Sequence, residues 1–203
     1  MGRDVSVDEV MAEVRRDAPF YRRSGGGVTF SGGEPFVQPA FLLECLRRSR
    51  RWGYHTAVET CGQARWEDMA RAAEHTDLVL YDLKQLDPAR HEELTGVGNE
   101  LILENLGRLL ETGVAVKVRV PVIPGANDDA ESLAGLAGFV AQHAGIRGIE
   151  LLPYHPLGLH KYEALDLPWR EFDKPDAASL EAMADKVSEL AGGVECLVCR
   201  GLA

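Results

Sequence analysis

Ten residues offer this sequence its chemistry: the Gly32-Gly33-Glu34 run, the Glu59-Thr60 pair, Asp82-Leu83-Lys84, Arg119 and His155. Two adjacent glycines leave a backbone without Cβ obstruction, so main-chain groups can come close to a ligand. Taken alone, such a pair after a strand more often marks a simple tight turn. Asp82 and Lys84 flank Leu83, so on a strand they point to one side, as a binding pair or as a solvated edge pair. His155, within Pro-Tyr-His-Pro, suits a ligand contact or a satisfied structural histidine. Arg119 interrupts the apolar positions Val116, Val118, Val120 and Val122. An unpaired charge buried there would be costly, and Glu59, Asp82 or a ligand carboxylate are the candidate partners.

The elements that must position these residues follow from hydrophobic period. Ser6-Val7-Asp8-Glu9 is a capping box, and Val7, Val10, Met11 and Val14 recur at helical spacing after it. Gly25-Gly26-Gly27 closes the next connection, and Val28-Thr29-Phe30 reads as a buried strand entering Ser31-Gly32-Gly33-Glu34-Pro35. Pro39 opens a helix with Leu42, Cys45 and Leu46 on one face, Thr56–Glu59 is a strand, and Trp66–Glu74 a short helix. Leu78–Tyr81 is a third strand. After a His91–Leu94 turn comes a helix carrying Ile102, Leu106, Leu109 and Leu110. Val114–Val122 is a fourth strand closed by Pro124-Gly125, Leu133 to Val140 a helix, and Ile149–Leu152 a fifth strand. Leu180, Met183, Ala184, Val187 and Leu190 mark the last helix, before a possible sixth strand at Val194–Val198. The Pro153–Pro175 stretch reads as a long loop, of the length that functional or partner-binding segments have.

Strands alternating with helices imply right-handed crossovers and a parallel sheet, in one domain over residues 1–203. Period alone does not separate a curved barrel from an open doubly wound sheet. In both, function gathers at the carboxyl ends of the strands, where nine of the ten residues fall, with Arg119 within the fourth strand.

Bulk properties narrow the function further. A net charge of −10 opposes electrostatic binding of nucleic acid. The basic group Arg47, Arg48, Arg50 and Arg51 reads as a solvated helix end. No apolar run approaches the roughly 20 residues of a membrane span, and the first residues lack the apolar core of a signal peptide. The four cysteines, Cys45, Cys61, Cys196 and Cys199, do not form a secreted disulfide pattern, so a cytoplasmic compartment is expected. Cys45 falls on an apolar helix face. The Cys196-x2-Cys199 pair has metal-like spacing but no second pair, and is read as structural or incidental.

Taken together, five blocks are far more specific than any one of them: residues 25–35, 55–62, 77–84, 122–125 and 150–158. In this order they resemble the pyruvate formate-lyase activating enzyme and its relatives, over nearly the whole chain. The resemblance implies an α/β fold, a partial, splayed (β/α) TIM-like barrel with parallel strands whose first strand is missing here. It implies a radical S-adenosylmethionine (SAM) oxidoreductase. In that family a [4Fe–4S] cluster cleaves SAM reductively, and the 5′-deoxyadenosyl radical takes a glycine hydrogen from a glycyl radical enzyme. The implied partners are therefore a glycyl radical enzyme such as a formate C-acetyltransferase-like protein, and reduced flavodoxin or ferredoxin as electron donor. Carried over by motif, Gly32, Gly33 and Glu34 would meet the methionine part of SAM with backbone groups. Asp82, Leu83 and Lys84 would line the SAM site, Arg119 would face its carboxylate, and His155 would lie near the adenosyl group. Glu59, Thr60 and Asp82 correspond to positions that hold a monovalent cation in some relatives, where an aspartate commonly replaces Glu59.

One part of the pattern is not found. The family's Cys-x3-Cys-x2-Cys motif, whose three thiolates each bind one iron, has no counterpart in this chain. Cys61 alone cannot hold a cubane cluster. The expectation is accordingly an N-terminally incomplete member with intact SAM-side residues, catalytically silent as it stands, with no catalytic residue or metal ligand assigned. The alternatives are a non-catalytic SAM- or partner-binding remnant of that family, and an ordinary barrel lyase using Lys84 as a Schiff-base nucleophile.

Overall fold

The computed structural model describes residues 3–156, 159–166 and 172–199. In chain order the elements begin α1 (Val7–Arg16), α2 (Ala18–Ser24), β1 (Gly27–Phe30), α3 (Pro39–Arg51), β2 (His55–Thr60), α4 (Trp66–Ala73) and β3 (Leu78–Asp82). They continue α5 (Pro88–Thr95), α6 (Glu100–Glu111), β4 (Ala115–Val122), α7 (Ala130–Ala141) and β5 (Ile146–Pro153), then α8 (Leu159–Ala164), α9 (Ala177–Leu190) and β6 (Cys196–Val198). The sheet order is β1-β2-β3-β4-β5-β6. Strand order that never reverses is the winding of a (β/α) barrel; a doubly wound sheet reverses at its middle. The α/β, partial-barrel expectation is therefore met. The chain packs as two compact units, Met1–Asp82 with Glu100–Lys117, and Leu83–Asn99 with Val118–Ala203.

In the first unit the capping box forms as expected. The Ser6 N–H donates to Glu9 Oε2 at 2.7 Å, and the Glu9 N–H to Ser6 Oγ at 3.2 Å. Met11 and Val14 of α1 bury with Ala18, Cys45 and Tyr54. Burial pushes the Cys45 thiol up to about 11, as suits a small core hydrophobe. Leu42 and Leu46 of α3 pack with Val58 and Ala72 in a second cluster. Strands β1, β2 and β3 pair in parallel, with Val28 opposite Thr56 and Val58 opposite Val79. One expectation needs correction. Strand β1 is half-buried with Thr29 exposed, not buried, because among the described residues it lies at the end of the strand order and pairs with β2 alone, while Val28 and Phe30 pack on the helices.

Two side chains lock the ends of β2. At its start Asp77 Oδ2 accepts from the Thr56 N–H at 2.8 Å and the Thr56 hydroxyl at 3.1 Å, and Arg50 pairs with Asp77 Oδ1. Burial by itself would raise the Asp77 carboxyl, but the Thr56 N–H, Arg50 and the Thr56 hydroxyl outweigh it and hold it below the usual aspartate range. Past the end of β2, Gly62 turns the chain at φ 75°. A Cβ there would stand 1.7 Å from the hydroxyl of Tyr81, which is fully buried and donates to the Ile102 carbonyl at 2.6 Å. Asn105 of α6 donates to the carbonyls of Gly62 and Ala64, both at 2.9 Å, and fixes the same turn.

In the second unit β5 and β6 pair in parallel, Ile149 opposite Cys196, and α9 packs on both strands and on α7. Strand β4, whose residues 115–117 fall in the first unit and 118–122 in the second, alternates strictly, its four valines buried and Ala115, Lys117, Arg119 and Pro121 half-buried. The expected His91–Leu94 turn is helical instead. It belongs to α5, whose N-cap Asp87 accepts from the Arg90 N–H at 2.8 Å and whose Pro88 suits the first turn. The expected Pro153–Pro175 loop contains α8; residues 157–158 and 167–171 of that stretch lie outside the described residues.

Two outcomes follow. Gly62→Ala is expected to destabilise the fold by more than about 2 kcal/mol, since both strain at positive φ and the buried Tyr81 oppose a methyl group. Urea unfolding measures it, and a loss below 0.5 kcal/mol would rule out this packing. Asp77 has a depressed folded-state pKa, so its stabilisation is full above the unfolded value of about 3.9 and fades as pH falls through the folded one. Asp77→Asn should thus lower the unfolding midpoint at pH 7 and have progressively less effect below about pH 4.

Candidate functional site

Six of the ten residues singled out by sequence lie in the first unit: Gly32, Gly33, Glu34, Glu59, Thr60 and Asp82. Gly32 and Gly33 follow β1 with φ of 90° and 55°, conformations that side chains other than glycine's rarely adopt. A Cβ added at either meets no atom within 4 Å. The requirement for glycine is therefore conformational, and the space beside this backbone is open. Gly32 and Glu34 also line a groove with Phe30, Gln38, Phe41 and Leu42.

Glu34 holds the glycine pair in place. Its Oε1 accepts from the Phe36 N–H at 3.1 Å and the Thr60 hydroxyl at 2.8 Å. Its Oε2 accepts from the Cys61 N–H at 3.0 Å and the Cys61 thiol at 3.1 Å. Four donors thus converge on one carboxylate, tying the loop after β1 to the end of β2. Thr60 is buried, and its oxygen also accepts from the Gly62 N–H at 3.0 Å. Ser31 donates to Glu59 Oε2 at 2.7 Å, a second tie between the same loop and strand. Asp82 ends β3 at the same edge, one residue beyond the Thr60–Tyr81 pairing. Sequence reasoning missed the parts played by Ser31 and Cys61; their only signal was position beside Gly32 and Thr60.

Leu83, Lys84, Arg119 and His155 lie in the second unit. Leu83 is buried and its N–H donates to the Arg119 carbonyl at 2.8 Å, while Lys84 is half-buried. Burial alternates at Asp82, Leu83 and Lys84, but β3 stops at Asp82, so Leu83 and Lys84 do not belong to the strand on which they were expected. The Arg119 guanidinium lies 3.4 Å from Glu150 Oε2 on β5, with both side chains less than a fifth exposed. Glu150 is thus an acidic neighbour that the sequence reading did not weigh; it took Glu59, Asp82 or a ligand as candidates. The Cys199 thiol donates to the same Glu150 oxygen at 3.6 Å. His155 follows β5 and is exposed.

The open Gly32–Gly33 backbone fits a ligand that brings an amine and a carboxylate to main-chain groups, as the methionine part of SAM does. Among the described residues no three His, Cys, Asp or Glu side chains stand together as a metal site. Cys45 is core, and burial with nearby Asp185 pushes the Cys196 thiol up to about 12.

Comparison with known proteins supplies the wider setting. The Radical SAM superfamily model matches residues 1–137. The isethionate sulfite-lyase activating enzyme of Nitratidesulfovibrio vulgaris is 53% identical over 167 residues, 81% of this chain and 54% of that one. The pyruvate formate-lyase-activating enzyme of Clostridium pasteurianum is 35% identical over 191 residues, covering 93% of this chain and 80% of that one. A crystal structure of a domain of pyruvate-formate lyase-activating enzyme from Bacteroides vulgatus superposes with a TM-score of 0.71 at 32% identity, over 85% of this chain and 98% of that one. The chain spans about half the length of several of the curated relatives it matches.

Glu34→Gln places an amide nitrogen against one of two pairs of donors. It is expected to lower stability by about 1–3 kcal/mol, the usual cost of stranding buried hydrogen-bonding groups. An unchanged urea midpoint would rule out the four-donor arrangement.

Proposed function

This chain belongs to the radical SAM superfamily, among the glycyl-radical-enzyme activating enzymes, and on that footing we propose that it provides the SAM-binding scaffold for installing a glycyl radical on a partner enzyme. The observation that supports SAM binding is the Gly32–Gly33 backbone, turned into positive φ beside open space and fixed by Glu34. SAM supplies the reactive 5′-deoxyadenosyl group when bound; the protein's share is binding and orientation. Backbone groups of Gly32, Gly33 and Glu34 receive the methionine end. Asp82, Leu83 and Lys84 line the site, with the Lys84 ammonium and Arg119, itself paired with Glu150, facing the carboxylate of SAM. His155 lies toward the adenosine. Glu59, Thr60 and Asp82 are the cation-site positions, with the Thr60 hydroxyl already committed to Glu34.

Radical generation in this family runs through a [4Fe–4S] cluster, and among the described residues no three His, Cys, Asp or Glu side chains stand together to hold one. No step through the cluster is assigned to these residues. That same observation favours a second reading, a SAM- or partner-binding member without turnover. The partner in either case is a glycyl radical enzyme, the electron donor for turnover a reduced flavodoxin or ferredoxin, and the compartment the cytoplasm.

Calorimetric titration of the 203-residue chain with SAM is expected to show saturable binding, weakened at least about tenfold in Gly33→Val through backbone strain and lost approach. Absence of binding refutes the proposal. Anaerobic reconstitution with iron and sulfide, followed by absorbance and a 5′-deoxyadenosine assay, separates the two readings. The expected result for this chain is no stoichiometric cluster and no 5′-deoxyadenosine; a full cluster with turnover would overturn that.

A further inference from the structure

Residues 83–87 follow β3 without belonging to a helix or strand, yet their backbone is held at nearly every position. The Asn127 amide nitrogen donates to the Lys84 carbonyl at 3.0 Å and the Pro121 carbonyl at 2.7 Å, while its oxygen accepts from the Ile123 N–H at 2.8 Å. The Asn99 amide nitrogen donates to the Gln85 carbonyl at 3.0 Å and the Leu86 carbonyl at 2.8 Å. Gln85 turns its own oxygen to the N–H groups of Leu86 at 2.7 Å and Asp87 at 3.2 Å. Three successive carbonyls, those of Lys84, Gln85 and Leu86, are therefore each taken by a side-chain amide, and all three amide residues are at most 6% exposed. The carbonyl partners fix which end of each asparagine is nitrogen.

This is more polar machinery than a connecting loop needs. Backbone carbonyls at a surface are satisfied by water at no structural cost, whereas burying a side-chain amide is costly, the more so at Asn99, whose Oδ1 is buried without a hydrogen-bond partner. Gln85 is further anchored to Ser132, which Asp129 and Arg90 hold in turn. The residue whose backbone this network pins, and whose side chain it leaves unused, is Lys84. Among the described residues its ammonium makes no ion pair. We infer that Asn99 and Asn127 are positioning residues that fix the Lys84 backbone so that its ammonium meets the carboxylate of SAM. The inference rests on the SAM-binding reading above and deepens it.

The test is a double-mutant cycle on SAM affinity together with amide hydrogen exchange. Asn127→Asp keeps the acceptor for Ile123 and turns the donor group into an oxygen facing two carbonyls; Asn127→Ala serves if that variant does not fold. Either is expected to weaken SAM binding about tenfold in the parent chain but less than about threefold in a Lys84→Met background, the non-additivity of groups acting through one another. In Asn127→Ala the amide of Ile123, which loses its acceptor, should exchange about tenfold faster, with the Val120 amide unchanged. Equal loss of affinity in both backgrounds overturns the role through Lys84 and leaves a merely structural one. Unchanged exchange at Ile123 in Asn127→Ala overturns the clamp itself. If the parent chain does not bind SAM at all, the SAM-binding reading and the role given to Lys84 both fall, whatever the exchange rates report.

Discussion

The saturation of one carboxylate organises the first unit. Glu34 sits at the junction of a loop that must run through two left-handed glycines and a strand end that must turn at Gly62. Neither stretch has a ladder partner for its polar groups. By accepting from Phe36, Thr60 and twice from Cys61, the carboxylate replaces the missing ladder with a fixed point. The geometry of the glycine backbone is set by what lies behind it, which leaves its open side without any structural duty.

The same device recurs wherever a strand gives way to irregular chain. Asp77 holds the entrance to β2, Asn105 its exit, and Asn99 with Asn127 the continuation of β3. In a parallel sheet the carboxyl ends of strands are where backbone groups lose their neighbours, so buried polar side chains accumulate there. Ligand-facing residues occupy that rim for the same reason. A rim already rigid in the free protein loses less freedom when a ligand arrives.

Much of the architecture was legible in the letters because strong periodicity and strong caps leave few alternatives. Ser6 and Glu9 announced α1, the alternating valines announced β4, and the spacing from Leu180 to Leu190 announced α9. The α5 helix escaped because Pro-Ala-Arg-His-Glu-Glu-Leu-Thr has little apolar stripe, and only its Asp87 cap and Pro88 marked it. The candidate site was legible as a set of positions and not as a set of contacts. Nothing in the spacing revealed that Glu150 would lie beside Arg119, since that depends on two strands separated by α7. The employment of Glu34 was equally hidden, because a carboxylate beside two glycines reads as ligand-facing until its four donors are seen.

Strand β1 has a consequence for how copies of this chain behave toward one another. Among the described residues its backbone has one neighbouring strand, β2, and its other side is a short row of donors and acceptors. Four residues with an exposed Thr29 give such a row little grip, and the net charge of −10 makes two copies repel before they can register. That repulsion reaches only about 10 Å in 0.1 M salt and shrinks to roughly 3 Å at 1 M. Ionic strength thus sets how far the charge of one copy is felt by the strand edge of another.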